Sequence, residues 1–190
     1  GALATRWWNH PAVLPFDVFA RNNILATSRL LDALRDSRAL RGFVNISTSS
    51  VYGYDASGDE STALAPTSSY AVSKLAAEQL VLARARDEKL PACSLRLFSV
   101  YGPRERPDKL YTRLVGSLLE DREFPLFKGS SEHMRSYTYV GDIVDGMIAV
   151  MNQFNRCNGE IFNLGTEESI STAHATISGS LRMNMLLDGT

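Results

Sequence analysis

Two stretches of the chain decide the fold: GFVNIS at residues 42–47 and SYAVSKLAAEQLVLARARDEK at residues 69–89. The first is a short apolar run that leads into a Ser/Thr cluster and a polar loop, a pattern typical of a buried strand and the turn after it. The second repeats apolar residues at helical intervals and is followed by Pro91, which cannot continue a helix. We therefore predict a strand at 42–47 and a helix at 69–89.

The flanking segments extend this unit in both directions. Apolar residues recur at helical spacing from residue 16 to 38, and CSLRLF at residues 93–98 has the composition of another buried strand. Helices that alternate with strands predict right-handed βαβ units and a parallel sheet. We expect an α/β fold, a parallel sheet with helices on both faces.

After Pro107 the pattern changes to shorter and more mixed elements. Such elements favour a small α/β cap on the sheet. The prediction is a helix at 108–120, short segments at 124–127 and 137–140, a helix at 142–154 and a strand at 160–163.

The composition limits the class of protein. With 190 residues, 44% of them hydrophobic, the chain can bury a sizeable core. Its 20 basic and 21 acidic residues give a net charge of −1 without a Lys/Arg block, which argues against nucleic acid as a partner. No apolar run approaches the roughly 18 residues of a membrane span, so we expect a soluble chain with no membrane partner.

Cysteine and histidine patterns suggest no metal site. Cys93 and Cys157 are far apart in sequence and have no C-x-x-C spacing, which favours neither a disulfide framework nor a zinc site. A reducing cytoplasm fits this pattern best. His10, His133 and His174 share no metal-ligand spacing, and we interpret each of them as structural or solvent-facing.

The strongest chemical signal is Tyr70-Ala71-Val72-Ser73-Lys74. Residues four apart lie on one face of a helix, so the Tyr70 phenol and the Lys74 ammonium can face the same cleft. The ammonium stabilises a phenolate and lowers the tyrosine pKa from its usual value of about 10. Tyr70 can then exchange a proton near neutral pH. The alternative is a chance pair, because this spacing occurs in many helices.

A Ser/Thr cluster, Ser47-Thr48-Ser49-Ser50-Val51-Tyr52-Gly53, stands at the end of the predicted strand. In open parallel sheets, ligands bind outside the carboxyl ends of the strands. A Thr48 hydroxyl at that end can therefore hydrogen-bond the oxygen that reacts beside Tyr70. A polar turn is the alternative, and it explains the hydroxyls but not their position in front of this helix.

Four motifs in this order resemble those of the extended short-chain dehydrogenases/reductases, in the nucleotide-sugar epimerase/dehydratase branch. They are the segments 47–53 and 70–74, then RLFSVYGP at 96–103 and RSYTYV at 135–140. The resemblance covers residues 10–172 and is more specific for the superfamily than for the substrate. It implies a partial Rossmann-like, dinucleotide-binding domain in 1–103. It also implies a mostly substrate-binding cap in 104–190, with segments such as 137–163 able to return to the main domain.

The resemblance implies NAD as the cofactor and a nucleotide-diphosphate sugar, such as a UDP-sugar, as the substrate. The nicotinamide takes a hydride from a sugar carbon while Tyr70 removes the hydroxyl proton and Thr48 bonds the same oxygen. Lys74 holds the nicotinamide ribose and lowers the Tyr70 pKa. Epimerisation follows when the keto intermediate rotates and accepts the hydride on its other face. Cofactor contacts are implied for Asn23, Ser47, Tyr70 and Lys74, with Ala26 in place of the family's glycine after the asparagine.

Substrate contacts are implied at four further positions. Arg135 corresponds to the arginine that grips the nucleotide diphosphate, and its fork of donors matches phosphate oxygens. Ser99 stands where many relatives carry an asparagine near the substrate phosphate. Arg104 or Arg106 could face a sugar carboxylate, as in uronic-acid epimerases, and either could equally be a solvated loop charge.

The pair Ser49-Ser50 separates two reactions. Dehydratase relatives carry Asp-Glu directly after the threonine, because eliminating water needs an acid and a base beyond the tyrosine. Hydroxyls are poor substitutes, so the pair favours an epimerase and places Ser49 and Ser50 among the substrate-binding residues. The same argument weighs against decarboxylase relatives.

The family's Gly-x-x-Gly-x-x-Gly turn, whose amides bind the pyrophosphate, has no counterpart among the 13 glycines. We therefore expect the N-terminal part of the dinucleotide fold to be missing. Three hypotheses stay open: an epimerase, another reaction on the same scaffold such as a dehydratase or reductase, and a catalytically silent fragment that does not bind NAD. A homodimer is expected from the resemblance.

Overall fold

The computed structural model describes residues 14–54, 56, 58–126 and 128–178. The chain divides into two compact units. The first unit consists of two segments, the chain up to Leu97 and Asp145–Leu164. The second unit consists of Phe98–Val144 and the chain from Gly165 onward. This division rests on compactness alone, so the domain boundary at residue 103 and the function of each domain stay predictions.

Helix α1 follows Pro15 and has three consecutive parts, α-helical Phe16–Phe19, π-helical Ala20–Leu25 and α-helical Ala26–Leu34. The other elements, in chain order, are β1 Phe43–Thr48, a 3-10 turn Ser49–Tyr52, α2 Ser69–Asp87, β2 Ala92–Leu97, β3 Ser99–Tyr101, α3 Leu110–Leu119, β4 Met134–Arg135, β5 Tyr137–Tyr139, α4 Val140–Asn152, α5 Phe154–Cys157, β6 Ile161–Leu164 and β7 Ile170–Ser171. Residues 172–178 are helical.

In the first unit, β1, β2 and β6 form a parallel sheet in the order β1-β2-β6. The register pairs Thr48 with Leu97 and Leu97 with Leu164, so these strands end at the same level. Helix α2 packs on β1 and β2 and returns the chain between them, as a parallel pair requires. The predicted α/β fold is confirmed.

An apolar cluster packs α1 and α2 onto the beginning of the sheet. Leu40 and Phe43 pack against its buried members. They reach the cluster because α1 ends at Leu34 and two hydrogen-bonded turns follow, so the helix predicted at 16–38 is shorter than expected. The buried members are Leu31, Val81, Ala85, Leu90 and Ala92.

A buried ion pair, Glu78–Arg96, joins α2 to β2, and neither side chain is more than 1% exposed. Arg96 Nη2 donates to Glu78 Oε1 at 2.6 Å and Arg96 Nε donates to Oε2 at 3.1 Å. Arg96 also donates to the Tyr52 hydroxyl at 2.8 Å, and Tyr52 donates to Asn163 at 2.7 Å. Buried charge is tolerated only when it is paired and hydrogen-bonded. The pair therefore ties α2, β2, β6 and the turn after β1 into one polar network.

Helix α4 packs on the other face of the sheet from its residue Asp145 onward. Strand residues alternate between faces, so Leu164 points away from the side on which Asn163 contacts Tyr52. A Cβ added to Gly146 would lie 2.6 Å from Leu164 Cδ1, so a larger residue at this position would have to displace the Leu164 side chain. Helices therefore cover both faces of the sheet, as predicted.

The second unit has two strand pairs among its described residues. β3 pairs with β5 in parallel, and β4 pairs with β7 antiparallel. Strand β3 was not among the predicted elements. The segment predicted at 124–127 is wrong for residues 124–126, which are neither helix nor strand, and Phe127 lies outside the described residues.

Both cysteines are free thiols buried in the first unit. Burial, and next the neighbouring Cys157, raise the pKa of Cys93 to about 11. Among the described residues no group of three or more His, Cys, Asp and Glu side chains could hold a metal. No helix in the same part of the chain has the length and apolarity to cross a membrane.

Replacing Glu78 by Leu should lower the free energy of unfolding by about 3–5 kcal/mol, because Arg96 would stay buried without its carboxylate. The double variant Glu78→Leu/Arg96→Met should lose less than Glu78→Leu alone. Urea denaturation followed by circular dichroism measures both.

The matched control for this experiment is Asp17→Asn. Asp17 pairs with Arg21 at 2.8 Å, and both side chains are more than 60% exposed, so the change should be too small to resolve. Equal losses for Glu78→Leu and Asp17→Asn would contradict a structural role for the buried pair.

Candidate active site

Strand β1 delivers Thr48 to the carboxyl end of the sheet, where the chain turns sharply. Thr48 has extended backbone angles and caps the 3-10 turn by accepting a hydrogen bond from Ser50 N at 3.2 Å. Its hydroxyl also contacts Ser50 Oγ at 3.2 Å. Thr48 and Ser50 are thus brought together by the turn itself, while Ser49 is the first residue of that turn.

Helix α2 brings Tyr70 and Lys74 to the same end of β1. The helix is capped by Ser68, which accepts from Ala71 N at 3.1 Å, so Tyr70 falls in its first turn. Lys74 Nζ donates to the carbonyl of Ile46, two residues before Thr48 in β1. Because α2 runs back along β1, Tyr70 lies one turn closer than Lys74 to the carboxyl end of the strand.

Lys74 is partly buried, and two opposing effects act on its pKa. Burial lowers the pKa of Lys74 from its usual value, and Glu78, one helical turn further on, opposes that shift. Because Glu78 is fully buried and bound to Arg96, the polar network of the fold reaches the candidate site through this carboxylate.

Asn23 holds α2 from the side of α1. It lies in the π-helical part of α1 and donates from Nδ2 to Ser73 Oγ at 2.9 Å. Ser73 in turn donates to the Tyr70 carbonyl at 2.7 Å, and the rings of Phe19 and Tyr70 have centroids 6.3 Å apart. π-helical turns inside α-helices are frequent at functional sites, and this one directs a buried amide toward the helix that carries Tyr70.

Ser47 precedes Thr48 and is 3% exposed. Its Oγ is buried and forms no hydrogen bond within the part of the chain that the structure describes. An unsatisfied buried hydroxyl costs about 1–3 kcal/mol, so a polar group from outside these residues would stabilise this position.

The other predicted substrate residues belong to the second unit. Ser99 starts β3, and its backbone N donates to Ser136 O at 3.1 Å. Arg104 is exposed and has a positive φ of 66°. Arg106 pairs with Asp108 at 3.2 Å. Arg135 lies in β4, and burial lowers its pKa.

Lys109 is a cation that the sequence reasoning did not select. Burial and then Arg106 lower its pKa, Glu105 opposes this, and Arg135 lowers it further. Asp108 opposes these effects as Glu105 does, and like charges disfavour one another. Arg106, Lys109 and Arg135 therefore form a cationic group beside the carboxylates of Glu105 and Asp108, which the sequence spacing alone did not reveal.

Sequence reasoning also missed the residues that support the site. Glu78, Arg96 and Tyr52 have no catalytic spacing, yet they form the buried network behind Lys74. A signal was present in the sequence: Glu78 and Arg96 are charged residues at positions that the helical and strand periodicity assigns to the core. Buried charges are usually paired, so the two residues could have been predicted to form an ion pair.

A Ser/Thr cluster at a strand end, followed by a Tyr/Lys pair on the next helix of a parallel α/β sheet, defines a Rossmann-like protein of the short-chain dehydrogenase/reductase type. Residues 13–165 match the family profile described as the NAD dependent epimerase/dehydratase family. The chain belongs to the NAD dependent epimerase/dehydratase family.

The similarities extend to curated and solved proteins. The chain is 39% identical to the uncharacterized UDP-glucose epimerase YtcB of Bacillus subtilis (strain 168) over 170 residues, 89% of this chain and 51% of that protein. It resembles the UDP-glucuronic acid 4-epimerase from Bacillus cereus in complex with UDP-glucuronic acid and NAD, with a TM-score of 0.74 and 38% identity over 81% and 49% of the two chains. It also resembles the dTDP-glucose 4,6-dehydratase from Bacillus anthracis str. Ames in complex with NAD, with a TM-score of 0.81 and 26% identity over 90% and 55%. The chain thus spans about half the length of these relatives.

Replacing Asn23 by Ala should lower the free energy of unfolding by about 1–3 kcal/mol, because it removes a buried hydrogen bond to Ser73. The neighbouring Asn22 is exposed and bonds only a carbonyl of its own helix among the contacts that the structure gives it, so Asn22→Ala is the matched control and should change little. Urea denaturation measures both variants.

A double-mutant cycle of Asn23→Ala with Ser73→Ala should give a coupling energy of about 0.5–3 kcal/mol. Additive losses would contradict a direct link between these side chains.

Proposed function

We propose that this chain carries the catalytic residues of an NAD-dependent epimerase acting on a nucleotide-diphosphate sugar, most specifically a UDP-sugar. One observation carries the proposal: Lys74 Nζ donates to the carbonyl of Ile46 in β1. Ile46 lies two residues before Thr48, and Lys74 lies one helical turn after Tyr70, so this contact brings the three proposed catalytic residues to the same end of β1. The family membership and the similarity to a UDP-glucuronic acid 4-epimerase bound to UDP-glucuronic acid and NAD support it.

The residues present fit the cofactor that the family uses. Ser47 offers a buried hydroxyl that lacks a partner among the described residues, and Lys74 offers an ammonium held at the strand end. These two residues, with Tyr70 and the Asn23 position behind it, would hold the nicotinamide end. When bound, NAD supplies a hydride acceptor that returns the same hydride within one cycle.

The chain's own residues handle the proton. Tyr70 removes the proton from the sugar hydroxyl and later returns it, while Thr48 hydrogen-bonds the same oxygen. Lys74 stabilises the tyrosinate by its charge. Glu78 opposes the effect of burial on the Lys74 pKa, so this buried carboxylate favours the charged lysine that the proton transfer needs.

The residues after Thr48 favour epimerisation over elimination of water. Ser50 is bonded to Thr48 through its hydroxyl and its backbone N, and neither Ser49 nor Ser50 carries the ionisable group that a dehydration acid or base requires. Without such a group, the keto sugar does not lose water, and the remaining path is the return of the hydride. Return to the same face restores the substrate, and return to the other face after rotation of the sugar gives the epimer.

The cationic group of Arg106, Lys109 and Arg135 supports an anionic substrate. Arg106 and Arg135 disfavour the charged form of Lys109, and a bound diphosphate would stabilise all three cations. In this proposal Arg135 binds the diphosphate and Ser99 lies near it. Arg106 is a candidate for a sugar carboxylate. Arg104 is the weaker candidate because it is exposed.

A second candidate function is a 4,6-dehydratase or a reductase on the same scaffold. It is favoured by the TM-score of 0.81 to a dTDP-glucose 4,6-dehydratase in complex with NAD. A catalytically silent fragment that does not bind NAD stays the third candidate. The homodimer and the cytoplasmic location stay predictions.

The direct experiment incubates the purified protein with NAD and a panel of UDP- and dTDP-sugars. Chromatography of the products should show the C4 epimer of a UDP-sugar. A 4-keto-6-deoxy product would favour the dehydratase instead. Absence of any product, together with no NAD binding in isothermal titration calorimetry, would rule out catalysis by this chain.

Replacing Tyr70 by Phe should abolish turnover, a loss of at least about 100-fold for a proton-transfer residue, while the circular dichroism spectrum stays unchanged. Tyr54→Phe is the matched control, because Tyr54 is 97% exposed, and its activity should equal that of the unmodified protein. Retained activity in Tyr70→Phe would refute the mechanism.

A further inference from the structure

His133 lies against Arg135 in the second unit, at the pairing of β4 with β7. Arg135 Nη2 is 3.2 Å from His133 Nε2. On the other side of the ring, His133 Nδ1 is 3.1 Å from Thr172 Oγ1. Thr172 also binds the His133 carbonyl through its backbone N at 3.0 Å and through its hydroxyl at 3.2 Å. The imidazole is thus held between a hydroxyl and a guanidinium.

The chemistry of these partners assigns the proton on the ring. A guanidinium only donates hydrogen bonds, so Nε2 must be the unprotonated nitrogen that accepts from Arg135. Nδ1 therefore carries the hydrogen and donates to Thr172 Oγ1. That oxygen is free to accept because its own hydrogen is donated to the His133 carbonyl. The neutral Nδ1-H tautomer satisfies every one of these contacts.

A second proton on His133 would break this arrangement. Nε2-H would face the N-H groups of Arg135, and two positive charges would meet. Burial, and next Arg135, lower the pKa of His133 from its usual value. The neutral ring is therefore the favoured form at neutral pH, and it protonates only below the ordinary histidine value of about 6.5.

Other charged groups act on the same region. Arg135 lowers the pKa of Lys109, the residue before α3, and Tyr137 in β5 raises the pKa of Arg135 against the effect of burial. Glu105, whose pKa is raised mainly by burial, is the carboxyl group that lies near Lys109. His133 contacts Arg135 directly, through Nε2 and Nη2.

We propose that His133 is a positioning residue for nucleotide-sugar binding: its neutral Nε2 orients the Arg135 guanidinium toward the substrate diphosphate, and its protonation displaces that guanidinium. The inference rests on the proposed function, because it takes Arg135 as the diphosphate residue. It makes substrate affinity, rather than the proton transfer at Tyr70, depend on a histidine outside the catalytic unit.

The test measures the affinity of the protein for UDP-glucose by isothermal titration calorimetry at pH 7.5 and pH 5. Both phosphates of this probe are esterified, so its charge does not change in that range. Loss of one hydrogen bond to a charged group weakens binding about ten- to hundredfold, so the affinity of the unmodified protein should fall toward that limit at pH 5 in proportion to the protonated fraction of His133. His133→Ala should be weaker by a similar factor at both pH values.

The conservative variant separates positioning from packing. In His133→Gln the side-chain oxygen can accept from Arg135 near the place of Nε2 and does not titrate, so the affinity should be close to that of the unmodified protein and should not fall at pH 5. A persisting fall would assign the pH dependence to Glu105 and overturn the inference. His174→Gln is the control, because His174 is exposed, and it should keep the full pH dependence.

Arg135→Ala distinguishes the inference from the proposed function. If it binds UDP-glucose as tightly as the unmodified protein, the diphosphate role of Arg135 is wrong and both proposals about it fall. If Arg135→Ala weakens binding but His133→Ala does not, only the inference about His133 is overturned. Tighter binding at pH 5 that is lost in His133→Gln would also overturn it, because the protonated ring would then be contacting the phosphate itself.

Discussion

The buried Glu78–Arg96 ion pair is the interaction on which the first unit depends. It connects the helix that carries Tyr70 and Lys74 to β2, and through Tyr52 it reaches the turn after Thr48 and strand β6. A carboxylate and a guanidinium buried together are stable only in a fixed geometry, since each would be costly alone. The pair therefore fixes the distance of α2 from the sheet at the place where Lys74 meets β1.

A second constraint acts on the same helix from α1. The π-helical turn moves Asn23 into line with Ser73, so that a buried amide supports the backbone of Tyr70. The helix is thus fixed on its sheet side by charge and on its α1 side by neutral hydrogen bonds. In the second unit a chain of polar contacts has the same effect: Thr172 orients His133, and His133 orients Arg135. In each unit the residue proposed for chemistry or binding is positioned by a neighbour that has no signature in the sequence.

Periodicity was sufficient where one pattern covers a whole element. The spacing of apolar residues predicted α2, β1 and β2 nearly to their observed ends, because local pattern and burial agree there. It failed where the decisive contact is distant in sequence. Helix α1 ends at Leu34 so that Leu40 and Phe43 can join the core, and β3 exists only because β5 pairs with it from another part of the chain. His133 was interpreted as structural or solvent-facing, and its partner Thr172 lies 39 residues away in the chain, so no local pattern could indicate this contact.

The sequence by itself determined the α/β class, the order of α1, β1, α2 and β2, the family and the identity of Thr48, Tyr70 and Lys74 as the candidate residues. These follow from local periodicity and from motifs, which are properties of neighbouring residues. Only the tertiary structure decided what surrounds those residues: the Ser47 hydroxyl without a hydrogen-bond partner in the described part of the chain, the carboxylate of Glu78 near Lys74 and the cations around Arg135. Burial and hydrogen bonding set these environments, and both depend on contacts between segments that are far apart in the chain.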